Sequence, residues 1–469
     1  MGRKNVLWIT LESTRADHTS VNGYDRDTTP NLRRIAERPT ARSFDRCFSH
    51  GIWTRSVSAS ILTGTYPTHH GAGMTNKSIP DSLATVPELL GAVGYQTVGI
   101  SPNANLSEAT GLDRGFDDFV WIDKSRLVEN VGVRTLAKYA LNLRRHGGGL
   151  TLDTRKHNTG YMETDVAKRW LRHNGGDDDP FFMYLHCGVP HHPYYPPRPD
   201  LLEEAARHDV DPETAGELAL SHHADLDEHV ASGLPYSGEE WELLTGLYDA
   251  SIEYADRLVG HLASYLERQG LTDTVLVVTA DHGELLGEKG LLGHKVGVHD
   301  AVSHVPMVVD GLDAALDYRG EIVQHVDVMG TLLDAAGADT SQFQGVDLRS
   351  GERSHAVIQR GGERCRRVLD QCLDHDPGFD ADRYHQSTLT ALRTQSFKYL
   401  HSDDRTELFA PPDEETDVSD EFPAVAEDLQ TAVITFLDGD GAPLDEGHED
   451  DALSEAARDQ LADMGYLVE

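Results

Sequence analysis

Cysteine is nearly absent from this chain: Cys47, Cys187, Cys365 and Cys372 are four residues in 469, with no C-x-x-C pair among them. That spacing suggests neither a structural zinc site nor a disulfide framework, so reduced thiols are expected. Positive charge is scarce as well. Lys and Arg number 41 against 79 acidic residues, giving a formal net charge of -38 that is spread along the chain. Such a surface repels nucleic acid. No apolar run is long enough to span a bilayer, and the short one in "MGRKNVLWITL" is followed by no small-residue cleavage site. No internal repeat is evident. A soluble, cytoplasmic protein is therefore expected. An acidic surface in which arginine far outnumbers lysine stays hydrated where salt screens its self-repulsion, so a halophilic, archaeal source is also expected.

What is present is an alternation of strand-like and helix-like segments, which favours one large α/β unit with additions. A first strand is expected at Asn5–Leu11, followed by a helix with Thr29 as N-cap and Pro30 at its first position. "VPELLGAVG" reads as a helix stopped by Gly94, and "YQTVGIS" as a strand ending near Asn103. "PFFMYLHCGVPHHPY" reads as a buried strand that breaks at Pro190 into a histidine-bearing loop. A long amphipathic helix, Gly238–Gln269, leads into the strand before Asp281. These strands end in ligand-like residues: Glu12, Asn103, His186 with His191, and Asp281 with His282. In open parallel sheets, sites form outside the carboxyl ends of the strands, so the pattern predicts one shared site.

The catalytic unit is expected over residues 1–380 and a small C-terminal α+β subdomain over 381–440, where a hairpin pattern precedes an amphipathic helix. Residues 441–469 form an acidic tail, either a docked helix or frayed. Two insertions interrupt the main unit. Residues 125–160 carry Arg134, Lys138, Arg144, Arg145, Arg155 and Lys156, read either as a helix paired with neighbouring carboxylates or as a lid for an anionic substrate or lipid headgroup. Residues 198–236 are acidic and are expected to be irregular.

Glu12 and Asp281 are hard oxygen donors and His282 a borderline nitrogen donor, a set that suits Mg²⁺, Mn²⁺, Ca²⁺ or Zn²⁺. Such an ion lowers the pKa of a bound hydroxyl and neutralises developing charge. The segment "WTRSVSASILTG" sets Thr54 just ahead of a short helix over 56–63 closed by Gly64. The amino end of that helix favours an anion beside Thr54. Thr54 is the candidate nucleophile, activated by the ion. Its alternative role is an N-cap, with Ser56 and Ser58 as other hydroxyls in reach. His69 and His70 are read as structural.

The chain resembles the sulfatase family of the alkaline phosphatase superfamily, in its threonine-nucleophile branch. The resemblance is carried by "NVLWITLESTRADH", "SASILTGTYPTHHG", "GLDRGFD", "PHHPYYPP", "VVTADHGELLGEKGLLGHK" and "SHVPMVV", in that order. It implies an alkaline-phosphatase-like α/β/α sandwich around a mostly parallel sheet. It also implies Glu12, Asp281 and His282 as metal ligands and Thr54 as nucleophile touching the ion. His191 would contact the substrate or protonate the leaving group, and Lys295 would grip the charged ester; Asn103 and His294 are weaker members of the same site.

Sulfatases of the usual kind carry C-x-P-x-R or S-x-P-x-R, whose first residue becomes formylglycine. Here those positions hold Thr54, Ser56 and Ser58, and threonine cannot be oxidised to that aldehyde. Ser13 stands where a second acid is expected beside Glu12, so one divalent metal is expected; a second, bound through His186, His191 or His192, is the alternative, without a clean D-x-x-x-H signature to mark it. The resulting expectation is hydrolysis or transfer of phosphate mono- or diesters on a small-molecule, glycan or lipid substrate. The alternatives are a sulfuric ester hydrolase without formylglycine and a catalytically silent binding protein of the same fold.

Overall fold

The computed structural model describes residues 3–74, 78–123, 126–151, 153–176, 179–444, 457, 458 and 460. Its centre is a seven-stranded sheet. In chain order the strands are β1 (Asn5–Leu11), β2 (Ala41–Ser43), β3 (Gln96–Ser101), β4 (Asp118–Trp121), β5 (Phe181–Cys187), β6 (Thr274–Ala280) and β7 (Met307–Asp310). Across the sheet they lie in the order β2-β7-β6-β1-β5-β3-β4. The run from β6 to β4 is parallel, and β7 and β2 add antiparallel at one edge. Strands covered on both faces read as continuous apolar runs, and all seven residues of β5 are buried accordingly. Helices complete the α/β/α layering.

Register decides where chemistry collects. Leu11 of β1 lies opposite Cys187 of β5 and Ala280 of β6. One residue further along each chain come Glu12, Gly188 and Asp281, which therefore leave the sheet at the same level. The helix Gly238–Gln269 delivers β6 to that position. Its start is fixed by a reciprocal Ser237–Glu240 capping box and its end by Gly270 at φ 75°.

The smaller sheet is antiparallel throughout: β8 (Ala356–Arg360), β9 (Leu389–Arg393), β10 (Lys398–His401) and β11 (Thr406–Phe409). The helix Pro423–Asp438 packs on it through a cluster including Leu392, Tyr399, Leu408 and Val433. The first of these strands lies upstream of residue 380. It is tied to the main body where Gln359 N–H donates to His50 O at 2.8 Å.

Residues 198–236 are not irregular. They form the helices Arg198–Arg207, Pro212–Ala224 and Leu226–Ala231, of which the first two bury Leu201, Ala205, Ala215 and Ala219 beside the long helix. The acidic composition hid a helical apolar spacing. Pro30 opens its helix as expected, but the Thr29 hydroxyl caps nothing there and instead accepts from Val21 N–H at 3.1 Å. In the basic insertion Lys138 pairs with Asp165 at 2.5 Å and Arg155 with Asp153 at 2.9 Å. Most of the acidic tail lies outside the described residues.

Candidate active site

Glu12 continues the β1 ladder by donating its N–H to Cys187 O at 3.0 Å, and its side chain is 1% exposed. The chain then turns through Ser13 at φ 56°, whose N–H donates to Asp281 Oδ1 at 3.0 Å. His282 N–H donates to the same oxygen at 2.8 Å. With Oδ1 fixed by two backbone donors, Asp281 Oδ2 is buried and has no hydrogen-bond partner among the described residues. His282 Nδ1 donates to Gly283 O at 2.8 Å, which selects the tautomer whose Nε2 carries a lone pair. That Nε2 is likewise buried and unpartnered, 3.4 Å from Asp281 Oδ2.

Thr54 is the first residue of the helix Thr54–Thr63, and the N-cap is Trp53, with extended backbone at φ -158° and ψ 155°. The expectation that Thr54 precedes a helix over 56–63 is thus corrected: the helix starts two positions earlier, because Trp53 already supplies the extended entry. The Thr54 hydroxyl donates to Glu12 Oε1 at 3.3 Å. Asn103, just past β3, donates its amide to both groups, to Glu12 Oε1 and to Thr54 Oγ1, the latter at 3.3 Å. Ser56 is turned back onto Trp53 O at 3.0 Å, which occupies one of the two alternative hydroxyls.

Burial alone would raise the pKa of Glu12, but His191, His186 and His282 together hold it down at about 2. His186 is drawn in from β5, with Nε2 at 3.6 Å from Glu12 Oε2 and neither ring nitrogen hydrogen-bonded among the described residues. Ligand atoms of Glu12, His186 and Asp281 lie within 4.8 Å of one another. Buried carboxylates and orphaned imidazole nitrogens are costly unless a cation compensates them. The donor set therefore fits a divalent ion. His186 was visible in the sequence as a polar interruption of an apolar strand, but its direction toward Glu12 required the register.

Of the remaining expected residues, His191 and His294 lie beside this centre. His191 Nδ1 donates to His192 O at 2.7 Å, and its ring lies 5.3 Å from that of His294. Burial lowers the pKa of His191 and depresses that of His294 well below the ordinary range. His294 Nδ1 bonds Glu284 Oε1 at 2.8 Å and its ring is 4.3 Å from His282. Lys295 faces Asp227 of the 198–236 insertion at 3.6 Å, and burial lowers its pKa against that partner. Arg364, which no sequence pattern marked, stacks over Trp53 at 4.0 Å. A cleft opens beside Glu12, lined by Arg155, His191, His192, Tyr195 and Gln460.

The sulfatase family model matches residues 4–338. The chain belongs to the sulfatase family. This places it among the ester hydrolases of the alkaline phosphatase superfamily. It is 25% identical over 392 residues to the multifunctional alkaline phosphatase superfamily protein PehA of Trinickia caryophylli, covering 72% of this chain and 75% of that one. Arylsulfatase K of Gallus gallus is 26% identical over 60% of this chain, which spans only 56% of that longer relative. N-acetylglucosamine-6-O-sulfatase of Bacteroides thetaiotaomicron is 23% identical, covering 85% of this chain and 78% of its own. Among solved structures, phosphonate monoester hydrolase of Agrobacterium radiobacter superposes with a TM-score of 0.70 at 19% identity, over 93% and 96% of the two chains. At that identity the superposition speaks for the fold, which is alkaline-phosphatase-like.

Proposed function

We propose that this sulfatase-family member is a metal-dependent hydrolase or transferase of phosphate mono- or diesters, with Thr54 as the nucleophile. The observation that carries this reading is a threonine hydroxyl 3.3 Å from a buried carboxylate at the position where formylglycine-type relatives carry Cys or Ser. Glu12, Asp281, His282 and the Thr54 oxygen would hold the ion, of the Mg²⁺, Mn²⁺, Ca²⁺ or Zn²⁺ class. When bound, it supplies Lewis acidity toward the ester oxygens and lowers the pKa of the hydroxyl it touches.

The chain's own residues do the rest. Asn103 pins both the Glu12 carboxylate and the Thr54 oxygen, which fixes the direction of attack. Thr54 Oγ1 bonds to the central phosphorus as the bond to the leaving oxygen breaks, and the amino end of its helix faces the negative charge. His191 contacts the leaving group and Lys295 the charged ester. Water or an acceptor alcohol then displaces Thr54. A threonine adduct must be cleared by attack at the central atom, whereas formylglycine's geminal diol releases sulfate by elimination; that difference favours phosphate over sulfate. The name of the structural neighbour phosphonate monoester hydrolase accords with phosphorus chemistry, and that of the relative arylsulfatase K with sulfate.

The substrate is taken to be a small-molecule, glycan or lipid ester. The net charge of -38 supports a salt-adapted, archaeal and cytoplasmic setting, and no helix among the described residues is long and apolar enough to cross a membrane. Assay of purified protein on p-nitrophenyl phosphate, a p-nitrophenyl phosphodiester and p-nitrophenyl sulfate, each with several divalent ions, tests the reading. Turnover of the phosphorus esters is expected; turnover of the sulfate alone would overturn it.

A further inference from the structure

The helix Gly160–Asn174 packs beside the long helix Gly238–Gln269, and the two turn basic side chains toward the same space. Thr164 and Lys168 share a face of the first helix at a spacing of four, and His261 and Arg268 share one of the second at a spacing of seven. All four line a cavity of about 250 Å³, to which the short helix Leu143–His146 of the basic insertion adds His146. None of its lining residues borders the cleft beside Glu12.

The charge of this cavity runs against that of the chain. His146, Lys168, His261 and Arg268 surround it with a single acid, Asp165, in a protein whose acids outnumber its bases 79 to 41. Asp165 is already engaged, accepting from Lys138 at 2.5 Å and from the Thr135 hydroxyl at 2.7 Å. The side chains of Lys168, His261 and Arg268 make no hydrogen bond or ion pair among the described residues. Each basic group disfavours the charge of its neighbours. Burial, with Arg268 and Lys138 nearby, lowers the pKa of Lys168 to about 8 against the pull of Asp165. Burial and then Lys168, Arg257 and Arg268 lower that of His261, and burial followed by His261, Arg257, Arg145 and Lys168 brings His146 to about 4. Like charges gathered around a recess are relieved when an anion enters it.

We propose that this cavity is a binding site for a phosphate-type oxyanion, either free or at the head of a larger molecule. Lys168 supplies a compact positive charge and Arg268 a planar fork of N–H donors, two chemistries that phosphate recognition uses. The site shares no residue with the reacting centre, so it stands or falls apart from the function proposed above. Leu141 is 87% exposed on the same insertion, five residues before His146, an arrangement that suits a lipid-borne headgroup as one source of the anion.

The test is binding with the reacting centre stripped of its cation. Chelator-treated protein is titrated with inorganic phosphate by calorimetry in about 1 M KCl, where the Debye length is ~3 Å and the net charge no longer repels an anion at a distance. One phosphate per chain is expected. Lys168→Gln and Arg268→Gln should each weaken it about tenfold or more, and Lys168→Arg should keep it, with thermal unfolding reporting the fold of every variant. A second arm sediments the protein with vesicles of phosphatidylcholine, alone or mixed with phosphatidylglycerol. Binding to the anionic vesicles without binding of free phosphate, lost in Lys168→Gln and Arg268→Gln, would assign the cavity to a lipid headgroup. The proposal is overturned if neither phosphate nor phosphatidylglycerol binds, or if binding is unchanged in both of those variants; either result leaves the proposed function standing.

Discussion

The Thr54 hydroxyl and the Glu12 carboxylate are 3.3 Å apart although 42 positions separate them in the chain. They meet because β1 ends at Leu11, level with its neighbours, and the helix Thr54–Thr63 begins over that edge. If this contact marks the reacting oxygen, Thr54→Ala should lower kcat by about a thousandfold or more with little change in KM, while Thr54→Ser keeps measurable turnover. Steady-state kinetics on a phosphodiester, with thermal unfolding as the control for folding, checks this.

Asn103 touches both members of that pair but provides no reacting atom. Asn103→Ala should cost about 10–100-fold in metal affinity or activity, the size usual for groups that orient a ligand. A larger fall in kcat than in substrate binding is expected, and single-turnover kinetics separates the two.

Asp281 Oδ2 is a buried carboxylate oxygen without a partner among the described residues. Removing its charge should therefore act in opposite directions in the two states. Asp281→Asn keeps an oxygen to accept from Ser13 and His282 N–H, so the metal-free protein should melt higher than metal-free wild type. With metal present, the variant should lose most of the ligand-induced rise in Tm that wild type shows. Differential scanning calorimetry with and without chelator reads both effects.

Acid sensitivity should come partly from a histidine outside the reacting centre. His70 is buried, with Nε2 3.0 Å from Ser60 Oγ and Nδ1 accepting from Ala72 N–H at 3.1 Å, and burial lowers its pKa to about 3. The unfolded ring takes a proton near pH 6.5 and the folded one only near pH 3. Stability is thus unaffected above pH 6.5 and falls as the pH drops toward 3, by about 1.4 kcal/mol per pH unit for this one ring. Urea unfolding at pH 7, 6, 5 and 4 should show His70→Gln with a shallower decline than wild type.

Much of this arrangement was legible in the chain. β1, the Gly238–Gln269 helix and the buried strand before Pro190 each announce themselves through apolar runs bounded by caps or breakers. Glu12, Asp281 and His282 stood out because they follow such runs directly. The helices of residues 198–236 did not, since their buried residues are few, many of them small, and set within an acidic sequence. Nor did the partners that arrive through register and domain contact. His186 was legible as a ligand-like residue at a strand end but its approach to Glu12 was not, and Arg364 reaches Trp53 from the Gly362–His375 helix after the small sheet's first strand.

The excess of acidic over basic residues makes a prediction about solvent. Self-repulsion at a net charge of -38 should be relieved as salt shortens the Debye length to about 3 Å at 1 M. The Tm should rise steeply between 0.05 and roughly 2 M KCl. A flat profile would contradict the salt-adapted reading.

The central claim, covalent catalysis by Thr54, is tested most directly by acid-quenching turnover of a phosphodiester and mapping the peptides by mass spectrometry. A phosphoryl adduct on Thr54 is predicted in metal-loaded wild type, absent after chelation and absent from Thr54→Ala. An adduct on Ser56 or Ser58 instead, or undiminished turnover by Thr54→Ala, would contradict it.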